Sequence, residues 1–263
     1  MPTTLLILPI FFGWLSGLII NYLADVLPVT RRLSQPTCPQ CGAVFTWKDY
    51  LLFQACPDGH KRKSRIWIVQ IIILAISIHT WLQPSSKIGY GLGLLLITYL
   101  GLVFVIDMEH RLILHPTSIF GALLGLVVGF ISNGPGSTLL GGLGGFLIML
   151  ALYYFGVLFS RLRANRLRAR GQEVDDEEAL GAGDVILAAI LGFILGWPLI
   201  WFCLLLGIML GGVFGLLLLV FLLSVRKYRE NVFMVFMPYG PSFILSAFLI
   251  IFLPNWIINI LPK

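Results

Sequence analysis

A chain of 263 residues that is 58% hydrophobic and only 11% charged cannot cover one soluble core with polar surface. That excludes an ordinary water-soluble enzyme, and the lack of strand-like alternation in its long apolar runs excludes a transmembrane barrel. The formal charge of +6 does not mark a nucleic-acid binder, because the basic residues sit in short stretches flanking apolar segments, a pattern set by membrane topology.

The first apolar run covers about 5–27. It follows Met1-Pro2-Thr3-Thr4, which has no positive side chain, and continues through Val26 without a small-residue cleavage site. It reads as a retained first span rather than a cleaved signal. Seven more apolar segments follow at about 66–83, 88–106, 112–131, 138–160, 184–196, 199–224 and 238–260. The sixth is short, and Gly196-Trp197-Pro198 predicts a tight turn before the seventh. A single kinked helix over 184–224 is the alternative, although about 40 residues exceed one bilayer crossing. The expected fold is an all-α polytopic membrane protein of about eight transmembrane helices. Its parts are a first helix (1–27), a basic loop domain (28–65) and a multi-helix membrane domain (66–263) with a loop at 161–183.

The loops orient these spans. Arg31, Arg32, Lys48, Lys61, Arg62, Lys63 and Arg65 lie in 28–65. Arg161, Arg163, Arg166, Arg168 and Arg170 lie in 161–183, and Arg226, Lys227 and Arg229 in 225–237. Fifteen of the eighteen basic residues thus fall on three loops of one side. The positive-inside rule puts those loops in the cytoplasm and both termini outside.

The same topology pairs carboxylates. Asp107 and Glu109 end a segment that runs from outside to inside; Asp184 opens one that runs back. An acid at a membrane boundary is costly and is a functional-site candidate with a partner to be found. The plainer reading of Asp184 is a helix N-terminal acid complementing the dipole. Two aspartates brought together cannot both ionise easily, so the pair titrates as a unit. Its charged member can activate water while its neutral member protonates a departing amine, which is aspartic peptide hydrolysis. The glycines before Asp184 would let a substrate backbone come close. A proton-coupled transporter is the alternative, but such proteins place carboxylates nearer the midplane, often in repeated halves.

Loop 28–65 holds Cys38-Pro39-Gln40-Cys41 and Cys56-Pro57-Asp58-Gly59-His60. A Cys-x-x-Cys turn offers two thiolates to one tetrahedral ion, and Cys56 with His60 could complete a Cys3His zinc site. The loop is too short for a core of its own, so a metal staple makes sense. A reduced, metal-free loop is the other reading. Cys203, in the seventh segment, is expected to pack. The acidic run Glu173 to Glu178 reads as solvated loop. Glycines at 121, 125, 129, 141, 142, 144, 145, 207, 211, 212 and 215 permit close helix packing in lipid.

These residues also carry a resemblance. Gly181-Ala182-Gly183-Asp184, with Leu187-Ala188-Ala189 and Leu191-Gly192 after it, resembles the Gly-x-Gly-Asp motif of the type IV prepilin peptidases, polytopic aspartic proteases of the bacterial membrane. Val105-Ile106-Asp107-Met108-Glu109 resembles that family's first catalytic-aspartate motif. Gly17-Leu18-Ile19-Ile20-Asn21 with Leu27-Pro28 is similar to its first-helix signature. Cys38-Pro39-Gln40-Cys41-Gly42 with Thr46-Trp47-Lys48-Asp49 resembles its cytoplasmic zinc-binding domain, and Met237-Pro238-Tyr239-Gly240-Pro241-Ser242 its entry to the last helix.

The resemblance implies cleavage of the basic leader of prepilins and pseudopilins on the cytoplasmic side of the inner membrane, in type IV pilus assembly or protein secretion. It also implies methylation of the new N-terminus by many members, using S-adenosylmethionine. Carried over, Asp107 and Asp184 are the catalytic pair, Gly181 and Gly183 the supporting glycines, and Cys38, Cys41, Cys56 and His60 the metal ligands. The chain departs from the pattern at three places. Ile113-Leu114-His115 stands near the usual Leu-Pro-Asp, Ile186 replaces a frequent lysine, and Gly59 replaces the last cysteine of a second Cys-x-x-Cys.

Overall fold

The computed structural model describes residues 6–85, 87–168, 181–224 and 239–253. The acidic run 173–178, the basic loop 225–237, Met237-Pro238 and the end of the last apolar segment lie outside the described residues. All secondary structure among the described residues is helical, apart from one isolated bridge between Thr37 and Val44. The helices are α1 (Ile7–Thr30), α2 (Trp47–Leu51), α3 (Arg65–Leu82), α4 (Gly89–His110), α5 (His115–Asn133), α6 (Pro135–Arg168), α7 (Ala182–Leu195), α8 (Leu199–Ser224) and α9 (Gly240–Phe252).

Each of the eight apolar segments contains a helix among its described residues, and the turn after the sixth separates α7 from α8. Gly196 closes α7 with φ of 74°, and a cis peptide bond joins Trp197 to Pro198. Among the described residues six helices, α1, α3, α4, α5, α6 and α8, are long and apolar enough to cross a membrane. α7 has 14 residues and reaches only about 21 Å. The protein is a multi-pass membrane protein. Its exposed surface is accordingly rich in large apolar side chains such as Phe11, Ile71, Leu123, Met209 and Phe221, a distribution that water would not tolerate and lipid requires. Two helices outrun their expected ends. α4 continues to His110, so Asp107 and Glu109 belong to its last turns. α6 continues to Arg168, because the Leu-, Ala- and Arg-rich stretch after Ser160 has no glycine or proline to stop it.

The chain divides into two compact units, Met1–Leu112 and Ile113–Lys263. In the first, α1 packs on α3 and α4. The interface is polar inside. Gln70 is 1% exposed and donates to the Trp14 carbonyl at 2.7 Å; Asn21 donates to the Ile66 carbonyl at 3.2 Å, and Ser77 to the Pro9 carbonyl at 2.8 Å. The first-helix signature thereby has a physical basis. Gly17 leaves the room that Gln70 fills, since a Cβ there would lie 2.6 Å from its Oε1, and Asn21 ties α1 to the start of α3.

In the second unit α7 is the central helix, packed against α5, α6, α8 and α9. Its sides are almost wholly apolar, and Leu187, Ala188 and Leu191 are fully buried, as expected of a helix hydrophobic all round. Covered by protein on most of its surface, with only Ile186 well exposed among its large side chains, it is not held to the bilayer's thickness. Glycines bring the backbones together: a Cβ on Gly192 would overlap the Gly141 carbonyl and fall 2.9 Å from Gly142 Cα. Gly212 and Gly215, by contrast, face nothing within 4 Å among the described residues, so no helix packing there calls for a glycine. Cys203 does pack, hydrogen-bonded with Ser246 at 3.1 Å.

The α6–α7 contact predicts a clear contrast. Gly192→Ala forces backbone displacement costing ~1–3 kcal/mol and lowers the midpoint of thermal unfolding in detergent. Gly212→Ala, with open space beside it, leaves that midpoint unchanged.

Candidate active site and metal centre

Two tight turns build the cysteine cluster. In Cys38-Pro39-Gln40-Cys41-Gly42, the Gly42 N–H donates to the Cys38 carbonyl at 2.8 Å, with Gly42 at φ 73°. In Cys56-Pro57-Asp58-Gly59-His60, the Gly59 N–H donates to the Cys56 carbonyl at 2.8 Å and the Cys56 N–H to the His60 carbonyl at 3.0 Å, with Gly59 at φ 81°. Gly59 stands where a second Cys-x-x-Cys would have its last cysteine, and its positive φ turns the chain so that His60 arrives instead. One ligand atom from each of Cys38, Cys41, Cys56 and His60 lies within 4.8 Å of all the others.

These four residues fit a tetrahedral metal ion. Cys41 Sγ and Cys56 Sγ are 3.2 Å apart, too far for a disulfide and close to the ~3.8 Å separation of two sulfurs on one zinc. His60 Nδ1 is buried with no hydrogen-bond partner. The thiols are electrically unequal. N–H groups of Gln40 and Cys41 hold the Cys38 thiol down to about 7. At Cys41 the Ala43 N–H favours the thiolate, but the Cys56 hydrogen bond, burial, Asp58 and Cys38 together push it up to about 12. Three crowded sulfurs cannot all carry charge without a cation among them.

The loop is not left to a metal alone. Cys38, Cys56, Phe45 and Tyr50 form a small buried cluster, and Tyr22 of α1 packs on it. This amends the expectation that the loop lacks a core: it borrows one wall from α1. Thr46 caps α2, accepting from the Asp49 N–H at 3.3 Å, which accounts for Thr46-Trp47-Lys48-Asp49 as a local start signal.

Asp184 occupies the first turn of α7 and is half-buried. Gly181 is the N-cap residue; its N–H donates to Asp184 Oδ2 at 3.3 Å while the Asp184 N–H donates to the Gly181 carbonyl at 3.0 Å. The plain capping role is therefore present, and one carboxylate oxygen is engaged in it. The two motif glycines differ. Space beside Gly183 is taken by Ile113, whose Cβ would be 3.0 Å from an added Cβ. Beside Gly181 nothing but its own turn lies within 4 Å, at 3.9 Å.

Asp107, in the first unit, is 5% exposed near the C-terminal end of α4, and its carbonyl accepts the Arg111 N–H that closes the helix. Next to it along the helix, Glu109 accepts from Arg65 at 2.8 Å and from Lys63 at 3.3 Å. Arg65 also pairs with Asp25 of α1, which further accepts from Arg62 at 3.3 Å and from the Tyr50 hydroxyl at 2.6 Å. Burial, then the Asp25 charge, drives the Tyr50 phenol's pKa well up, so it remains a donor. Asp25 escaped the sequence reading, although an acid within the first apolar run is the same signal that drew attention to Asp184.

Residues 94–216 match the family model described as the type IV leader peptidase family, a stretch that contains both Asp107 and Asp184 and leaves the metal loop outside. Comparison with curated proteins and with solved structures returned no match. An all-helical membrane unit, an acid at the end of α4 and an acid under two glycines at the start of α7 accompany this match, and residues 94–216 are similar to the type IV leader peptidase family.

Proposed function

We propose that the protein is an aspartic endopeptidase that removes the leader of prepilin-like and pseudopilin-like substrates, with Asp107 and Asp184 as its catalytic pair. The observation that carries this reading is that the family match spans two helix-end acids, one buried and one half-buried, in a membrane protein. Each stands at a helix end where an apolar segment meets a connecting loop, the depth at which a leader joins a hydrophobic substrate helix. In the chemistry we infer, the ionised carboxylate takes a proton from water as the water oxygen attacks the scissile carbonyl. The neutral carboxyl then gives its proton to the departing amine.

Gly181 and Gly183 support Asp184 in different ways. Gly181 holds its carboxylate, and Gly183 seats Ile113, which follows Asp107 closely in the chain. The orientation we assign follows the basic loops: bacterial inner membrane, cleavage on the cytoplasmic side, both termini outside. The metal is assigned as structural zinc on Cys38, Cys41, Cys56 and His60, which would cross-link the two turns of the loop. The competing transporter reading finds no support in the family match.

Incubating reconstituted protein with prepilins and reading intact mass tests the proposal: loss of the leader is expected. Asp107→Asn and Asp184→Asn each abolish that loss while remaining in the membrane fraction, and full cleavage by either variant rejects the pair. With S-adenosylmethionine added, methyl transfer reads as a gain of one methyl mass on the mature product. Metal analysis of protein purified without chelator is expected to give one zinc per chain in the wild type and none in Cys38→Ser; a metal-free wild type rejects the zinc assignment.

A further inference from the structure

The charged residues between the cysteine loop and α4 are more than a membrane-edge cluster. Exposed ion pairs contribute little, yet here the Arg62 and Arg65 side chains are only 9% and 14% exposed. Arg65 divides its terminal nitrogens between two carboxylates, one NH2 to Asp25 on α1 and the other to Glu109 on α4. Its planar fork holds the two bonds on separate nitrogens, a spacing the single nitrogen of lysine does not reproduce. Glu109 also sits in the last turn of α4, where a negative charge opposes the helix dipole and needs a compensating cation. Arg65 and Lys63 supply it.

The other end of the network is anchored in the loop. Arg62 donates to the Tyr50 carbonyl at 2.8 Å and lies over the Tyr50 ring at 4.0 Å and the Phe45 ring at 5.3 Å. Phe45 and Tyr50 share one buried cluster with Cys38 and Cys56. Tyr50 and Arg62 both bond Asp25, so loop and α1 meet on one carboxylate. An unbroken series of contacts therefore runs from the sulfurs through Tyr50 and Arg62 to Asp25, then Arg65, then Glu109. Asp107 lies two residues before Glu109 in the same helical end.

We propose that Asp25, Arg65 and Glu109 are positioning residues that couple the order of the cysteine loop to the placement of Asp107, so that loosening the loop slows the chemical step. This rests on the catalytic reading of Asp107. The physical argument is that a carboxylate misplaced by about 1 Å can cost ~100-fold in rate. The last turns of α4 are packed through the buried Val105 and Ile106 and closed by the Arg111 N–H on the Asp107 carbonyl, and this charge network ties their outer side to α1 and α3. Loss of the network removes the tie at Glu109 and loosens the turn that carries Asp107.

The test uses the full chain in nanodiscs, with amide hydrogen exchange and steady-state cleavage measured on the same samples. Glu109→Gln keeps shape and removes charge. It is expected to lower kcat by ~10- to 100-fold with KM changed less than about twofold, and to speed exchange in the loop at residues 56–64. Cys38→Ser is expected to speed exchange at residues 105–111, and the double variant to lose no more kcat than the worse single one. Glu109→Asp restores part of the rate; Arg65→Lys, which keeps charge but cannot bridge, does not. Unchanged exchange in the distant segment, additive losses of rate, or an effect on KM alone would each overturn the coupling. Should the wild type cleave nothing, the catalytic reading falls, while the reciprocal exchange still reports whether the link exists.

Discussion

Arg65 is the residue on which the first unit turns. It begins α3, and its guanidinium joins a carboxylate from α1 to a carboxylate from α4. Three helices that are held elsewhere by Gly17, Gln70, Asn21 and Ser77 are thereby fixed at one end by charge. The two arginine side chains are largely buried and the carboxylates about a quarter exposed, so removing Arg65 leaves Asp25 with Arg62 and Tyr50, Glu109 with Lys63, and no direct link between α1 and α4 through charge. The cysteine loop uses the same carboxylate, Asp25, so its fold and that of the helices beneath it are one problem.

The second unit solves a different one. α7 carries Asp184 at its first turn and is buried on most of its surface, and α5 and α6 come close to it where side chains are absent. Gly125, Gly129, Gly141 and Gly145 each face the α7 backbone or its side chains. A short, rigid, enclosed helix then presents one acid at its end, with the Gly181 N–H occupying one carboxylate oxygen. The Gly-x-Gly-Asp motif is at once a helix start, a packing site for Ile113 and a holder for that acid.

The proposed function rests on the acids these two units carry and on the family match over residues 94–216. The match covers the helices bearing both acids and stops short of the cysteine loop, whose case rests on its own geometry: four ligand atoms within 4.8 Å, two turns each opened by a cysteine, and a buried imidazole nitrogen without a partner. The loop's position on the charge network gives it a mechanical relation to α4 that a metal staple alone would not.

Hydrophobic length and charge placement were enough, in the sequence, to establish helices, their approximate bounds and the membrane class, because a backbone in lipid has few other ways to satisfy its polar groups. The same reasoning singled out Asp107, Asp184 and all four members of the cysteine cluster, since their spacing or depth is local. What it could not reach were partnerships set by packing. Asp25 looked like one more residue of the first span until Tyr50, Arg62 and Arg65 converged on it; Gly212 and Gly183 look alike on paper, yet one faces open space and the other Ile113. The ends of α4 and α6 were misjudged for a related reason: hydropathy marks where lipid ends, whereas hydrogen bonding and propensity decide where a helix does. Sequence determined which residues are chemically able to act; tertiary structure decided which neighbours hold them, because those contacts join positions far apart in the chain.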